Sequence, residues 1–224
     1  MTGIIQSAYT SEQVLMWLRG LLAIAWADGN FDPQEQEVIK QLVLNELSPD
    51  LALESLKPVS PPELVASLGQ DPGTTENFLR TCAMVAVADG TYSASEDDLL
   101  QKFCEALGRK VEALEALQST LEGNFEPVTP SGNESTDDSL DLLKPVRHWL
   151  DETDIRDPQV ARFLCKMIPA QCPFERDIKL FGNKVVHIPP LCKVNPLYEQ
   201  LVTLRFRALS YLADECGEDV SAYC

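Results

Sequence analysis

Five of the seven cysteines in this 224-residue chain fall after residue 160: Cys165, Cys172, Cys192, Cys216 and Cys224, with His187 close to Cys192. Thiolate sulfur binds zinc tetrahedrally or holds an iron–sulfur cluster, and imidazole is the usual substitute ligand. Cys172, Cys192, Cys216 and Cys224 each stand at an element end or in a connection, where rigid turns such as Cys172-Pro173 and Pro190-Leu191-Cys192 could aim sulfur at a common centre. Cys165 lies inside the helical stretch Ala161–Ile168 and reads as a small core residue. No Cys-x-x-Cys pair is present, so a zinc or iron–sulfur site built from these four thiols and His187 would have to be gathered by the fold. Inert buried thiols are the competing reading. Arg176, Lys179, Lys184, Lys193, Arg205 and Arg207 either offset an anionic thiolate centre or form a solvated face that pairs with Asp214, Glu215 and Glu218.

Other chemistries have little material. Only two histidines exist, His148 and His187, and there is no Gly-x-Ser-x-Gly, His-Glu-x-x-His or glycine-rich phosphate loop. A thiol oxidoreductase would place its cysteines in close pairs. Catalysis is therefore the less expected class. The net charge of −17 sits entirely in residues 1–143, which carry 7 Lys+Arg against 24 Asp+Glu, whereas residues 144–224 carry 11 of each. So acidic a surface repels nucleic acid and anionic lipid and favours cations or basic protein partners. With no long apolar run and no basic-then-apolar start, the chain is expected to be cytoplasmic and not inserted in a membrane.

The acids belong to an internal repeat with an offset of 61 residues. Leu22–Glu35 aligns with Ala83–Glu96, keeping Asp, Gly, an aromatic residue and Glu in register. Each copy predicts an alanine-rich helix ended by Gly29 or Gly90. A capping box then opens the next helix, Asp32-Pro33-Gln34-Glu35 or Ser93-Ala94-Ser95-Glu96, with Phe31 and Tyr92 as staples. Ser48-Pro49 and Ser60-Pro61-Pro62-Glu63 predict further helix starts. About six helices with pseudo-twofold symmetry follow over residues 1–122.

The paired Ala27-Asp28-Gly29 and Ala88-Asp89-Gly90 turns, each with a Glu six residues after the Gly, make residues 10–122 resemble the tellurite-resistance TerB-like family. That resemblance implies an all-helical, metal- or stress-linked scaffold with Asp28, Asp32, Glu35, Asp89 and Glu96 as cation ligands. Capping explains the same residues without a cation. Ser93 in place of Asp removes one hard ligand from the second copy, and the spacing is not that of a calcium loop.

Residues 123–139 are rich in Pro, Ser, Thr, Asn, Gly and acids and are expected to form a disordered linker that leaves the flanking domains free to move. Beyond it, Leu140–Leu150 predicts a helix, and Asp157-Pro158 starts another that ends near Pro169. Residues 178–188 predict a hairpin about Gly182-Asn183, and Asn195-Pro196 opens an amphipathic helix to about Asp214. The segments 168–176, Ile188-Pro189-Pro190-Leu191-Cys192, Asn195-Pro196-Leu197-Tyr198 and 209–217 resemble the Mo-dependent nitrogenase C-terminal family over residues 145–224. The resemblance implies a cyanobacterial setting and a link to metal or redox metabolism.

The expected architecture is mainly α in two domains. Residues 1–122 form the acidic repeat, and 140–224 a cysteine-rich helical domain with a small β-hairpin. The expected function is that of a non-catalytic adaptor that binds a protein partner and has a place for a divalent cation or structural metal. A zinc or iron–sulfur redox or metal sensor is the alternative.

Overall fold

The computed structural model describes residues 7–27, 59–69, 71–88, 92–119, 143–168 and 195–223, and the backbone alone of 176–180 and 183–188. The first helix, α1 (Ser11–Ala25), begins where Thr10 and Gln13 cap each other, Gln13 N–H donating to Thr10 Oγ1 at 3.2 Å and Thr10 N–H to Gln13 Oε1 at 2.9 Å. It is followed by α2 (Pro61–Leu68), α3 (Pro72–Ala86), α4 (Ala94–Ala106), α5 (Glu112–Gln118), α6 (Lys144–Asp151), α7 (Pro158–Met167) and α8 (Tyr198–Ser210). Strands β1 (Arg176–Leu180) and β2 (Asn183–Ile188) pair antiparallel. The Phe181-Gly182 connection between them lies outside the described residues. The described chain is thus mainly helical, and none of its helices is long and apolar enough to cross a membrane.

The two long helices of the first part are copies of one another. Both α1 and α3 contain 15 residues, and their starts and ends are each offset by 61. Their N-caps differ chemically but act alike: Thr10 opens α1, and Asp71 accepts the Thr74 N–H at 2.8 Å before Pro72 at N1. Equivalent positions meet across the helix pair. Trp17 and Phe78 stand edge to face with ring centroids 5.7 Å apart. Trp17 Nε1 donates to Thr81 Oγ1 at 2.9 Å, and the equivalent of Thr81 in the other copy is Gly20. A Cβ on Gly20 would lie 2.6 Å from Phe78 Cζ, so the ring occupies the space that a side chain would need. Each helix thereby places the aromatic ring of one copy against the small residue of the other.

Capping boxes at Ser60 and Ser93 start α2 and α4, as the sequence predicts. Asp157 likewise opens α7 by accepting the Gln159 and Val160 N–H groups at 2.8 and 2.9 Å. The equivalent Asp32 box, the turn at Gly29 and Gly90 and the start at Ser48 lie outside the described residues.

The described residues on the two sides of 123–139 share one hydrophobic core. Asn77, only 5% exposed, donates from Nδ2 to the Asp154 carbonyl at 2.5 Å and accepts the Asp154 N–H at 2.8 Å. Trp149 Nε1 donates to Glu76 Oε1 at 3.2 Å, Arg80 pairs with Glu152, and its guanidinium lies 5.8 Å from the Trp149 ring centroid. Asn195 Nδ2 donates to the Val87 carbonyl at the end of α3 at 2.6 Å. Independent motion of the two parts, expected from the linker composition, does not fit this packing: it would strip buried backbone groups of their partners. Asn195 also accepts the Leu197 N–H at 2.9 Å, so the chain turns there and α8 begins only at Tyr198.

The end of α8 departs from the expected regular helix to Asp214. Residues Tyr211–Glu215 take π-helical spacing, with the Cys216 N–H reaching the Tyr211 carbonyl at 3.1 Å, and Gly217 at φ 66° closes the segment.

Replacing Gly20 by Ala should destabilise the protein by about 1–3 kcal/mol, because overpacking against Phe78 outweighs the better helix propensity of Ala. Urea unfolding of the two proteins measures it.

Candidate functional site

Glu96 is the acidic candidate whose side chain is described, and it serves the fold. Its Oε2 accepts the Ser93 N–H at 2.8 Å and the Ser93 hydroxyl at 2.7 Å, while Glu96 N–H donates to Ser93 Oγ at 3.2 Å. The adjoining Asp97, which the sequence shows only as part of an acidic first turn, ties two elements to α4. Its Oδ1 accepts the Tyr92 hydroxyl and its Oδ2 the Gln118 amide, both at 2.8 Å. Tyr92 is therefore a hydrogen-bonded staple rather than an apolar one, and burial together with Asp97 pushes its phenol far above the ordinary range. Asp28, Asp32, Glu35 and Asp89 lie outside the described residues.

Of the sulfur candidates, Cys216 is described, while Cys172, Cys192 and Cys224 lie outside the described residues and His187 is placed only as a backbone position on β2. Cys216 is half-buried just past the π turn. Burial, then Glu218, pushes its thiol up; Arg162 and a hydrogen bond with the Tyr211 side chain act the other way. Cys82, Cys104 and Cys165 are buried. Burial, with Asp97 and Glu105 adding to it, pushes Cys104 up to about 12, and Cys82 lies well above the ordinary thiol range for the same leading reason. Among the described residues no group of three or more His, Cys, Asp and Glu side chains is arranged to hold a metal ion.

Two of the cations singled out in the sequence have structural partners instead. Arg205 is 8% exposed and donates from Nε to the Ile168 carbonyl at 2.9 Å and from Nη2 to the Tyr223 carbonyl. Arg207 Nη1 donates to the carbonyls of Asp151 and Thr153 at 2.6 and 3.2 Å. Both arginines lock α8 onto backbone that precedes or follows it. The acid Glu218 pairs with Arg162 on α7, a residue the sequence reading passed over.

A groove at the C-terminal end of α8 received no attention in the sequence. Ile155, Phe206 and Tyr211 line a cavity of about 330 Å³ together with Asp154, Asp214 and Glu215. Phe206 is 69% exposed, and Val202, one turn earlier on α8, is 44% exposed. A signal for this face existed in the sequence. In Val202-Thr203-Leu204-Arg205-Phe206, the buried stripe Leu197, Leu201, Leu204 and Ala208 leaves Val202 and Phe206 on the other side of the helix.

Thiol alkylation checks this account of the cysteines. At pH 8 native protein should leave Cys82, Cys104 and Cys165 unlabelled by iodoacetamide, while Cys216 reacts and reacts faster as the pH rises. Because its thiol is raised, little thiolate exists below that range. Replacing Arg162 by Ala should slow Cys216 further, since the cation that favours the thiolate is lost and Glu218 is left unopposed.

No curated protein and no solved structure matches the chain. A family model does match part of it, and in agreement with the resemblance read from the segments between 168 and 217. The part of the chain that carries α6, α7, α8 and the Phe206 groove, residues 142–224, matches the family described as Mo-dependent nitrogenase C-terminus.

Proposed function

We propose that this chain is a non-catalytic accessory protein, an adaptor whose Mo-dependent nitrogenase C-terminus part contacts a protein partner. The observation that carries the reading is the exposure of Phe206 at 69%, beside Val202 at 44%, on a helix whose opposite face is fully packed. Adjacent apolar side chains left in water beside a groove mark an interaction surface more readily than a reaction centre. The described candidate groups support the same reading. Glu96 makes a helix cap, and Cys216 stands apart from any described group of side chains arranged to hold a metal ion.

In this reading residues 10–122 are a TerB-like helical repeat, supported by the equal lengths and the 61-residue offset of α1 and α3. The acidic first part would favour a basic partner or a divalent cation, and the setting would be cytoplasmic, in cyanobacterial metal, redox or stress metabolism. A second reading, a zinc or iron–sulfur sensor, is favoured by the five cysteines from residue 165 to residue 224, all in the family-matched part.

Elemental analysis of protein purified without oxygen separates the two. Iron and zinc well below one per chain, with a melting temperature unmoved by a chelator, would eliminate the sensor reading. An iron–sulfur cluster, seen as stoichiometric iron with visible absorption, would favour the sensor, whereas stoichiometric zinc with a chelator-sensitive melting temperature would fit a structural metal in either reading. A melting temperature unmoved by millimolar calcium or magnesium would leave the acids of the first part as caps and solvating charge.

A further inference from the structure

We propose that the groove beside Phe206 docks a short segment of a partner protein in which an apolar side chain stands next to Lys or Arg. This deepens the accessory reading, on which it rests, by giving the partner a chemistry and a place to bind. Apolar recognition comes from Ile155 and Tyr211 in the lining and from Phe206 at the rim. Burial of that ring favours only a ligand that carries apolar surface of its own.

The charge of the partner follows from the other lining groups. Asp154, Asp214 and Glu215 face the groove against a single described guanidinium, that of Arg207, whose Nη1 is already spent on the Asp151 and Thr153 carbonyls. Asp154 is paired with Arg156 at 2.5 Å. Asp214 and Glu215 enter no ion pair with a described residue, so theirs are the carboxylates open to a cationic ligand. Their position is set by the backbone. At Tyr211 the helix changes from α to π spacing, and the widened turn carries Asp214 and Glu215 along the same groove that Phe206 and Tyr211 line. A basic side chain held between them next to an apolar one matches both halves of the lining, whereas an acidic or wholly apolar segment would leave those carboxylates desolvated without a partner.

Selection of a random-peptide display library against the immobilised full chain tests this. The enriched peptides should place Leu, Met or an aromatic residue beside Lys or Arg. As synthetic peptides they should bind wild-type protein with an affinity that falls as salt rises. Phe206→Ser should weaken them by about tenfold or more, as expected for an aromatic anchor. The double change Asp214→Asn with Glu215→Gln should weaken them and flatten the salt dependence. All three positions are on the surface or partly so, and circular dichroism of each variant confirms that the helices persist.

Failure to enrich any peptide, or enrichment of peptides without basic residues, would overturn the proposal. Peptides that bind the Phe206→Ser protein undiminished would also overturn it, while leaving the accessory reading intact because binding would then occur elsewhere. Concentration-dependent dimerisation in sedimentation, abolished by Phe206→Ser, would reassign the face to a second copy of this chain. An iron–sulfur cluster would overturn the accessory reading in favour of the sensor without touching the peptide result.

Discussion

The close approach of α1 and α3 at Gly20 and Phe78 is the constraint on which the rest of the fold depends. The Phe78 ring fills the space a Cβ at position 20 would take, so any larger residue there would force the ring or the helix pair to shift. Trp17 fills the corresponding place near Thr81 and finds a hydroxyl for its indole N–H, which satisfies the one polar group that burial would otherwise penalise. With one face of α3 fixed against α1, its other face is presented to the C-terminal part. Asn77 adjoins Phe78 in sequence and points to Asp154, while Glu76 and Arg80 meet Trp149 and Glu152, and the last turn offers the Val87 carbonyl to Asn195. The helix α3 therefore borders both the repeat and the family-matched residues, which α5 and α1 also meet through α6 and α7.

Much of the local structure was legible in the sequence because its causes are local. The capping boxes at Ser60 and Ser93 and the Asp157-Pro158 start involve residues within three or four positions of each other. The repeat, visible in Leu22–Glu35 and Ala83–Glu96, extends back to the first residues of both helices, where Thr10 and Asp71 share a role without sharing a side chain. What could not be read are the pairings between distant positions. Asn77 and Asp154 are 77 residues apart, and Asn195 and Val87 are 108 apart. An asparagine gives no periodic signal of such a bond, so the linker composition suggested freedom that the buried amides deny. Arg205 and Arg207 misled for the same reason. As sequence they are two cations near acids, whereas in the fold they cap carbonyls at Ile168, Asp151 and Thr153.

The charge distribution and the packing divide the labour between the parts. The excess of carboxylates in residues 1–143 is partly used in caps and first turns, as at Asp71, Ser93–Asp97 and Glu63. Hydrogen bonds from the Ser60 hydroxyl and backbone hold Glu63 below the ordinary carboxylate range, and that from the Thr74 backbone does the same for Asp71. Residues 144–224 balance their charges overall yet concentrate three carboxylates beside one exposed ring at the end of α8. The first part thus carries the excess negative charge, and the second, packed against it, carries a surface with distinct apolar and anionic halves.

The most direct measurement is hydrogen exchange by mass spectrometry across a urea series, comparing peptides from α1 and α3 with peptides from α7 and α8. One body with a shared core predicts that the slowest amides of all four helices lose protection at a common urea concentration, and that Asn77→Leu lowers that concentration for all of them together. Loss of protection in α7 and α8 at a clearly lower urea concentration, with α1 and α3 unaffected, would contradict it.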